Sequence, residues 1–165
     1  MKKKYNVGIV PGSFDPITNG HIDIVRRAAE LCETVYLAVM INAEKDYMFT
    51  LDERKRIAEA AVSDTQGVTV ISSDGMLFEL AERLCADAII KGVRNERDRE
   101  YEENMAQYNA NRCRAVTVLL DADESLTAVS STVAREIIER GIFPEALIPL
   151  GAIDEIKKIL GKREK

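Results

Sequence analysis

Gly8-Ile-Val-Pro-Gly-Ser-Phe-Asp-Pro-Ile-Thr-Asn-Gly-His21 is the stretch that decides the fold. It begins inside an apolar run from Tyr5 to Val10, which predicts a buried strand. Pro11-Gly12 and Asp15-Pro16 oppose regular structure, and an amphipathic helix is predicted to start at Gly20-His21. A strand, a turn and a helix N-terminus together favour phosphate binding, because unpaired backbone N–H groups and the positive end of the helix dipole meet there.

The bulk composition narrows the class of protein. The chain has 165 residues, 46% hydrophobic and 31% charged, which suits one soluble domain with a proper core. A net charge of −5 gives no support to nucleic-acid binding. No apolar run approaches the length of a membrane span, and the three cysteines have no metal-site spacing, so we expect a cytoplasmic protein with small buried cysteines.

Apolar runs alternate with helical patterns along the chain, which predicts an α/β fold with a parallel sheet covered on both faces. The helix after the first strand is predicted to extend to Cys32, and Asp74-Gly75 is expected to open another helix. A C-terminal helix with a charged tail is expected from about residue 150, within one domain spanning residues 1–165. The five predicted strands are Tyr5–Val10, Val35–Ile41, Val68–Ile71, Ala88–Ile90 and Val116–Leu120.

Unusual residues follow four of these five strands. They lie in residues 12–21, 42–45, 91–94 and 127–132. Ligands of doubly wound sheets bind beyond the carboxyl ends of the strands, where the strand order reverses. The sequence therefore predicts a ligand site assembled from these four segments.

Two of the segments carry residues suited to phosphate. Lys91-Gly92-Val93-Arg94 places two cations around a glycine that would let a ligand approach the backbone, and arginine offers a planar fork for phosphate. The run Ser130-Ser131-Thr132 lies where a helix is predicted to begin, so it offers both an N-cap and hydroxyls for a polyphosphate. His21, the one histidine of the chain, lies in the first turn of a predicted helix, which favours a functional role.

Two stretches resemble the signatures of the nucleotidylyltransferase superfamily. Thr18-Asn19-Gly20-His21 is similar to its His/Thr-x-Gly-His box, and Val129-Ser130-Ser131-Thr132-Val133-Ala134-Arg135 resembles its second signature. The longer match, Gly12 to His21, resembles bacterial phosphopantetheine adenylyltransferases. The resemblance implies a Rossmann-like sheet of order 3-2-1-4-5 and a homohexamer. It also implies transfer of the adenylyl group of ATP, carried with Mg²⁺, to 4′-phosphopantetheine, giving dephospho-coenzyme A and pyrophosphate, with coenzyme A as a possible inhibitor.

The resemblance also implies roles for individual residues. His21, Lys45 and Arg94 would be catalytic. The acceptor substrate would contact Ser13, Lys45, Leu77 and Lys91, where Lys91 replaces the usual arginine and lacks its bidentate fork. No resident metal site, membrane contact or nucleic acid is implied. ATP would contact Ser13, Phe14, His21, Gly92, Val93, Arg94, Glu102, Leu126, Thr127, Ala128, Val129, Ser130, Ser131 and Thr132.

Three other functions stay open at this point. One is a sister transferase that acts on nicotinamide mononucleotide or makes a cytidylyl product. Another is a non-catalytic sensor of nucleotide or coenzyme A, which a turnover assay would distinguish. The third is a flavodoxin-like binding module, which would carry flavin colour on purification.

Overall fold

The computed structural model describes residues 2–164 and contains one five-stranded sheet. All neighbouring strands are parallel, in the order β3-β2-β1-β4-β5, which confirms the expected topology. The strands are β1 (Tyr5–Gly12), β2 (Cys32–Met40), β3 (Val68–Ser73), β4 (Ala88–Val93) and β5 (Val116–Asp121).

Within residues 2–164, six α-helices connect and cover the strands. They are α1 (Asn19–Leu31), α2 (Leu51–Ala61), α3 (Leu77–Arg83), α4 (Glu96–Ala110), α5 (Ser131–Glu139) and α6 (Leu150–Arg163), with a short 3₁₀ turn at Glu124–Leu126. None of the helices among residues 2–164 is long and apolar enough to cross a bilayer.

Side chains on the two faces of the sheet enter two hydrophobic clusters. Val10, Leu37 and Ile90 point into the larger cluster with residues of α1, α2, α5 and α6. Ile9 and Ile89, the next positions along their strands, enter a smaller cluster with residues of α3. Successive strand residues point to opposite faces, so a sheet buried on both faces needs continuous apolar runs, as the sequence has.

The helix starts follow from capping residues. Thr18 and Thr50 each accept a backbone N–H from the third helical residue, and that residue's side chain accepts the N–H of the cap. At α2 the predicted capping box is confirmed, with Glu53 N donating to Thr50 Oγ1 at 3.2 Å and Thr50 N donating to Glu53 Oε2 at 2.9 Å. Each such cap is worth about 1 kcal/mol.

Several predicted boundaries are wrong, and strand pairing explains two of them. Cys32 begins β2 instead of ending α1, because it pairs in register with Tyr5. The helix expected at Asp74-Gly75 begins at Leu77. Strand β4 continues through Lys91, Gly92 and Val93, which pair with the last residues of β5, so these residues are not a loop.

The prediction of three buried cysteines holds for only one of them. Cys32 is fully buried, and burial raises the pKa of its thiol. Cys85 is exposed and Cys113 is partly exposed. Cys85 follows α3 with a positive φ of 50°, in the turn that leads to β4, where its side chain is directed away from the core.

Strand order reverses at β1. The chain proceeds outward from β1 through β2 to β3, then returns to place β4 on the other side of β1. The carboxyl ends of β1 and β4 therefore lie side by side, with the segments that follow them diverging to opposite halves of the molecule. This is the position at which doubly wound sheets leave a crevice.

Candidate active site

A cavity of about 980 Å³ opens at this crevice. It is lined by residues that follow β1, β2, β4 and β5, as the sequence predicts. The predicted site residues in its lining are Ser13, Phe14, His21, Lys45, Lys91, Gly92, Arg94, Glu102, Leu126, Val129, Ser130, Ser131 and Thr132.

Four predicted site residues lie outside this lining: Leu77, Val93, Thr127 and Ala128. Leu77 packs against the smaller hydrophobic cluster at the start of α3. Val93 is 3% exposed, because its side chain enters the core at the end of β4. The pattern of the motif does not distinguish a residue beside the site from one whose side chain faces it.

The glycine of the Lys91–Arg94 segment has a packing role that the sequence did not predict. A Cβ atom at Gly92 would lie 2.8 Å from Cγ1 of Ile24, well inside van der Waals contact. The missing side chain therefore makes room for α1 to pack against β4, although Gly92 also borders the cavity. The expectation that Gly92 lets a ligand approach the backbone stays a prediction.

His21 is held in one orientation by Thr18. The backbone N–H of Thr18 donates to Nδ1 of His21 at 3.0 Å, and the ring packs edge-on against Phe14 with 5.0 Å between centroids. Because Nδ1 accepts this bond, the neutral ring carries its proton on Nε2. Nε2 is therefore the nitrogen available as a donor to a ligand.

The surroundings of His21 keep it neutral. Burial, followed by the positive charges of Arg94, Lys91 and Lys45, lowers its pKa from 6.5 to about 4. Three cations thus act on one ring at the cavity. An anion bound among them would meet positive charge and a neutral N–H donor together.

We expect the ring of His21 to titrate with a midpoint near pH 4 in the free protein. The folded state resists protonation that the unfolded chain accepts at about pH 6.5. The stability that this residue contributes is therefore complete above pH 6.5 and is lost as the pH falls toward 4. Proton NMR of the single histidine measures the midpoint directly, and a value near 6.5 would contradict the assignment. Added pyrophosphate should raise the midpoint, because it neutralises the neighbouring cations.

Two of these cations are already paired with carboxylates. Lys91 Nζ lies 3.1 Å from Glu102 Oε1, with both side chains largely buried. Arg94 Nε donates to Asp98 Oδ2 at 3.0 Å. Both acidic partners belong to α4, which follows β4, so this helix sets where the two cations point.

The opposite side of the cavity is formed by the start of α5. Ser130 caps the helix by accepting the N–H of Val133 at 3.2 Å, which confirms the predicted N-cap. Ser131 Oγ donates to the carbonyl of Pro16 at 2.8 Å, and Arg135 donates to the carbonyl of Asp15 at 2.7 Å. Side chains of the second signature therefore donate hydrogen bonds to the backbone of the first loop.

The buried carboxylate of Asp15 joins the first loop to the one after β2. Its two oxygens accept the backbone N–H groups of Met48 and Phe49 at 2.9 and 3.0 Å. Asp15 lies within the first motif but was not predicted as a site residue. The sequence signal for this role was the position of Asp15 in a loop with prolines and a glycine. A carboxylate in a tight loop usually accepts hydrogen bonds from backbone N–H groups.

Comparisons with known proteins bear on the fold and the family of the chain. A family model described as cytidylyltransferase-like matches residues 9–137. A solved bifunctional NMN adenylyltransferase/ADP ribose pyrophosphatase from Francisella tularensis, complexed with AMP and a manganese ion, superposes with a TM-score of 0.66. It is 14% identical, and the match covers 87% of this chain and 44% of that one. A nicotinic acid mononucleotide adenylyltransferase from Plasmodium falciparum, complexed with NaAD, gives a TM-score of 0.61 at 14% identity over 96% of both chains.

The fold and the family match define the class as a cytidylyltransferase-like nucleotidyltransferase. A relative from Flavobacterium psychrophilum, named phosphopantetheine adenylyltransferase, is 39% identical over 141 residues, which cover 86% of this chain and 93% of the relative. The chain belongs to the phosphopantetheine adenylyltransferase family.

Proposed function

We propose that this chain transfers the adenylyl group of ATP to 4′-phosphopantetheine, forming dephospho-coenzyme A and pyrophosphate. The observation that carries the proposal is the neutral His21 ring beside Lys45, Lys91 and Arg94 in one large cavity at the strand switch. Family membership identifies the pair of substrates. A cavity lined by cations and hydroxyls suits two phosphate-bearing molecules.

The reaction needs no general base. An oxygen of the acceptor's phosphate, already an anion, attacks the α-phosphorus of ATP. A new P–O bond forms there as the bond from the α-phosphorus to the bridging oxygen breaks, and pyrophosphate leaves with that electron pair. Catalysis then depends on orienting the two phosphates and on stabilising the charge that develops between them.

The residues divide between the two substrates. We assign Lys45, Lys91 and Ser13 to the phosphate of the acceptor. His21 and Arg94 act on the α-phosphate and the leaving group, and a hydroxyl-rich helix start cradles the polyphosphate. For the nucleotide we retain Phe14, Gly92, Val93, Glu102 and residues 126–132, and for the pantetheine arm Leu77.

Mg²⁺ would reach this site bound to ATP, where it neutralises phosphate charge. Three acidic residues that border the cavity already have polar partners, which favours metal carried by ATP over direct ligation by these side chains. Asp15 accepts two backbone N–H groups, Asp98 is paired with Arg94, and Glu102 is paired with Lys91. Within residues 2–164 no group of three or more potential ligands gathers to hold a metal.

The remaining features of the proposal come from the family resemblance. We infer a homohexamer that works in the cytoplasm as one nucleotidylyltransferase domain and is open to inhibition by coenzyme A. Val116 and Tyr101, exposed to 51% and 60%, supply apolar surface that assembly would cover. Analytical ultracentrifugation measures the oligomeric state independently of activity.

A coupled pyrophosphate assay tests the function. The protein is mixed with MgATP and 4′-phosphopantetheine, and pyrophosphate is expected together with dephospho-coenzyme A in equal amount. Nicotinamide mononucleotide serves as the matched control acceptor and should give no product. Turnover of that acceptor instead would replace the proposed substrate, and no turnover of either would leave a binding protein.

A further inference from the structure

Arg54 of α2 is a buried cation for which the reaction above has no role. Its residue is 1% exposed, and its guanidinium donates to three backbone carbonyls. Nη1 reaches the carbonyl oxygens of Ser13 at 2.6 Å and Met40 at 2.9 Å, and Nε reaches that of Phe49 at 3.3 Å. These acceptors belong to the loop after β1, the end of β2 and the loop after β2.

Burying this guanidinium carries a desolvation cost, which its hydrogen bonds to three backbone carbonyls offset. Burial lowers the pKa of Arg54, while the neighbouring Tyr47 and Asp15 side chains oppose the shift. Within residues 2–164 no carboxylate forms an ion pair with it. The other buried residues of α2 are Ile57, Ala58 and Ala61. An apolar side chain at position 54 would extend this apolar face without desolvating a charge.

The guanidinium also supports Tyr47. It stacks on the tyrosine ring with 3.9 Å to the centroid. The Tyr47 hydroxyl accepts the N–H of Asn42 at 2.6 Å and lies 3.4 Å from the hydroxyl of Ser13. Lys45 lies between Asn42 and Tyr47 in the same closed loop, and its Nζ is 3.5 Å from Ser13 Oγ.

Two groups assigned to the acceptor phosphate therefore depend on one buried side chain. Arg54 fixes the backbone of Ser13 directly and the loop of Lys45 through Tyr47. We propose that Arg54 is a positioning residue which, acting through Tyr47, holds the Ser13 hydroxyl and the Lys45 ammonium at the subsite for the acceptor's phosphate. The inference rests on the proposed function and extends it to residues that do not touch substrate.

Arg54→Met keeps the length of the side chain but removes its donors and its charge. We expect kcat/KM for 4′-phosphopantetheine to fall by about 10²-fold, because small misplacements of reacting groups have effects of that size. The KM for MgATP should change by less than about 3-fold, and Arg54→Lys should recover part of the loss. Arg56→Met is the matched control, since Arg56 is an exposed residue of the same helix paired with Glu155, and it should behave as wild type.

Tyr47→Phe tests the same link without disturbing the buried charge. It removes the hydroxyl and keeps the ring on Arg54, so a loss of about 3–10-fold in kcat/KM for the acceptor is expected. This variant keeps the inference testable if Arg54→Met does not fold. Wild-type kinetics in Tyr47→Phe and Arg54→Lys would overturn it.

A double-mutant cycle separates positioning from general stabilisation. If Arg54 acts through Lys45, Arg54→Met should lower kcat/KM for the acceptor far less in a Lys45→Ala background than in the wild type. Equal losses in both backgrounds would overturn the inference while leaving the proposed function intact. If the wild-type protein forms no pyrophosphate in the assay, the proposed function is overturned, and the inference with it.

Discussion

His21→Ala is expected to lower kcat by about 10²–10³-fold, with a smaller effect on the affinity for ATP. In the proposed mechanism the Nε2–H of the neutral ring would donate to the α-phosphate, and that hydrogen bond would strengthen as charge develops there. Steady-state kinetics with both substrates varied measures the split. An unchanged kcat would exclude His21 from the chemical step.

The same substitution also removes a helix cap, which needs its own control. Nδ1 of His21 accepts the N–H of Thr18, so alanine leaves that buried donor unpaired. Glutamine at this third helical position would restore an acceptor, as in an ordinary capping box. His21→Gln should therefore recover the melting temperature lost in His21→Ala while kcat stays low. Recovery of both would show that the imidazole itself is not required for the chemical step, since the glutamine amide also carries an N–H donor.

Lys45→Ala and Lys91→Ala are expected to fail in different ways. Lys45 is exposed at the mouth of the cavity beside Ser13. There its mobile ammonium can stabilise the negative charge that develops during transfer, so Lys45→Ala should lower kcat by about 10²-fold. Lys91 is anchored beside Glu102, so it is suited to hold a phosphate in a fixed place. Its loss should mainly raise the KM for phosphopantetheine and spare that for ATP. Identical kinetic profiles would refute the division of roles.

The Lys91 variant also exposes a second charge. Without the Lys91 ammonium, the Glu102 carboxylate loses the cation that balances its charge, and it would repel a phosphate bound in the cavity. Comparing Lys91→Ala with the double variant Lys91→Ala/Glu102→Gln separates the two effects. If the higher KM comes from the lost cation, it should persist in the double variant. If it comes from repulsion, the second substitution should remove it.

The sequence predicted the sheet and most of the cavity because these depend on local patterns. Buried parallel strands read as continuous apolar runs, and loops at their carboxyl ends converge whatever their length. Strand ends were harder to predict. Lys91 looks like the start of a polar loop, but its backbone still pairs with Leu119 of β5, since hydrogen bonding along a strand does not depend on the side chain.

Arg54 shows what local patterns miss. The sequence patterns assigned Arg54 no role, although it lies three residues after Leu51 and four before Ala58, on the apolar face of α2. A charge at such a position was the available signal. What it contacts could not be predicted, because its acceptors are backbone carbonyls of loops whose paths depend on the whole fold.

The reversal of strand order at β1 also affects how the protein is made. The cavity is closed by bonds between residues 115 and 120 positions apart, from the start of α5 to the loop after β1. A nascent chain that has emerged only as far as β4 therefore lacks α5, which forms one side of the cavity. Because long-range contacts of this kind form late and slowly, early folding proceeds without help from nucleotide. We therefore expect ligand to stabilise mainly chains whose synthesis has passed α5.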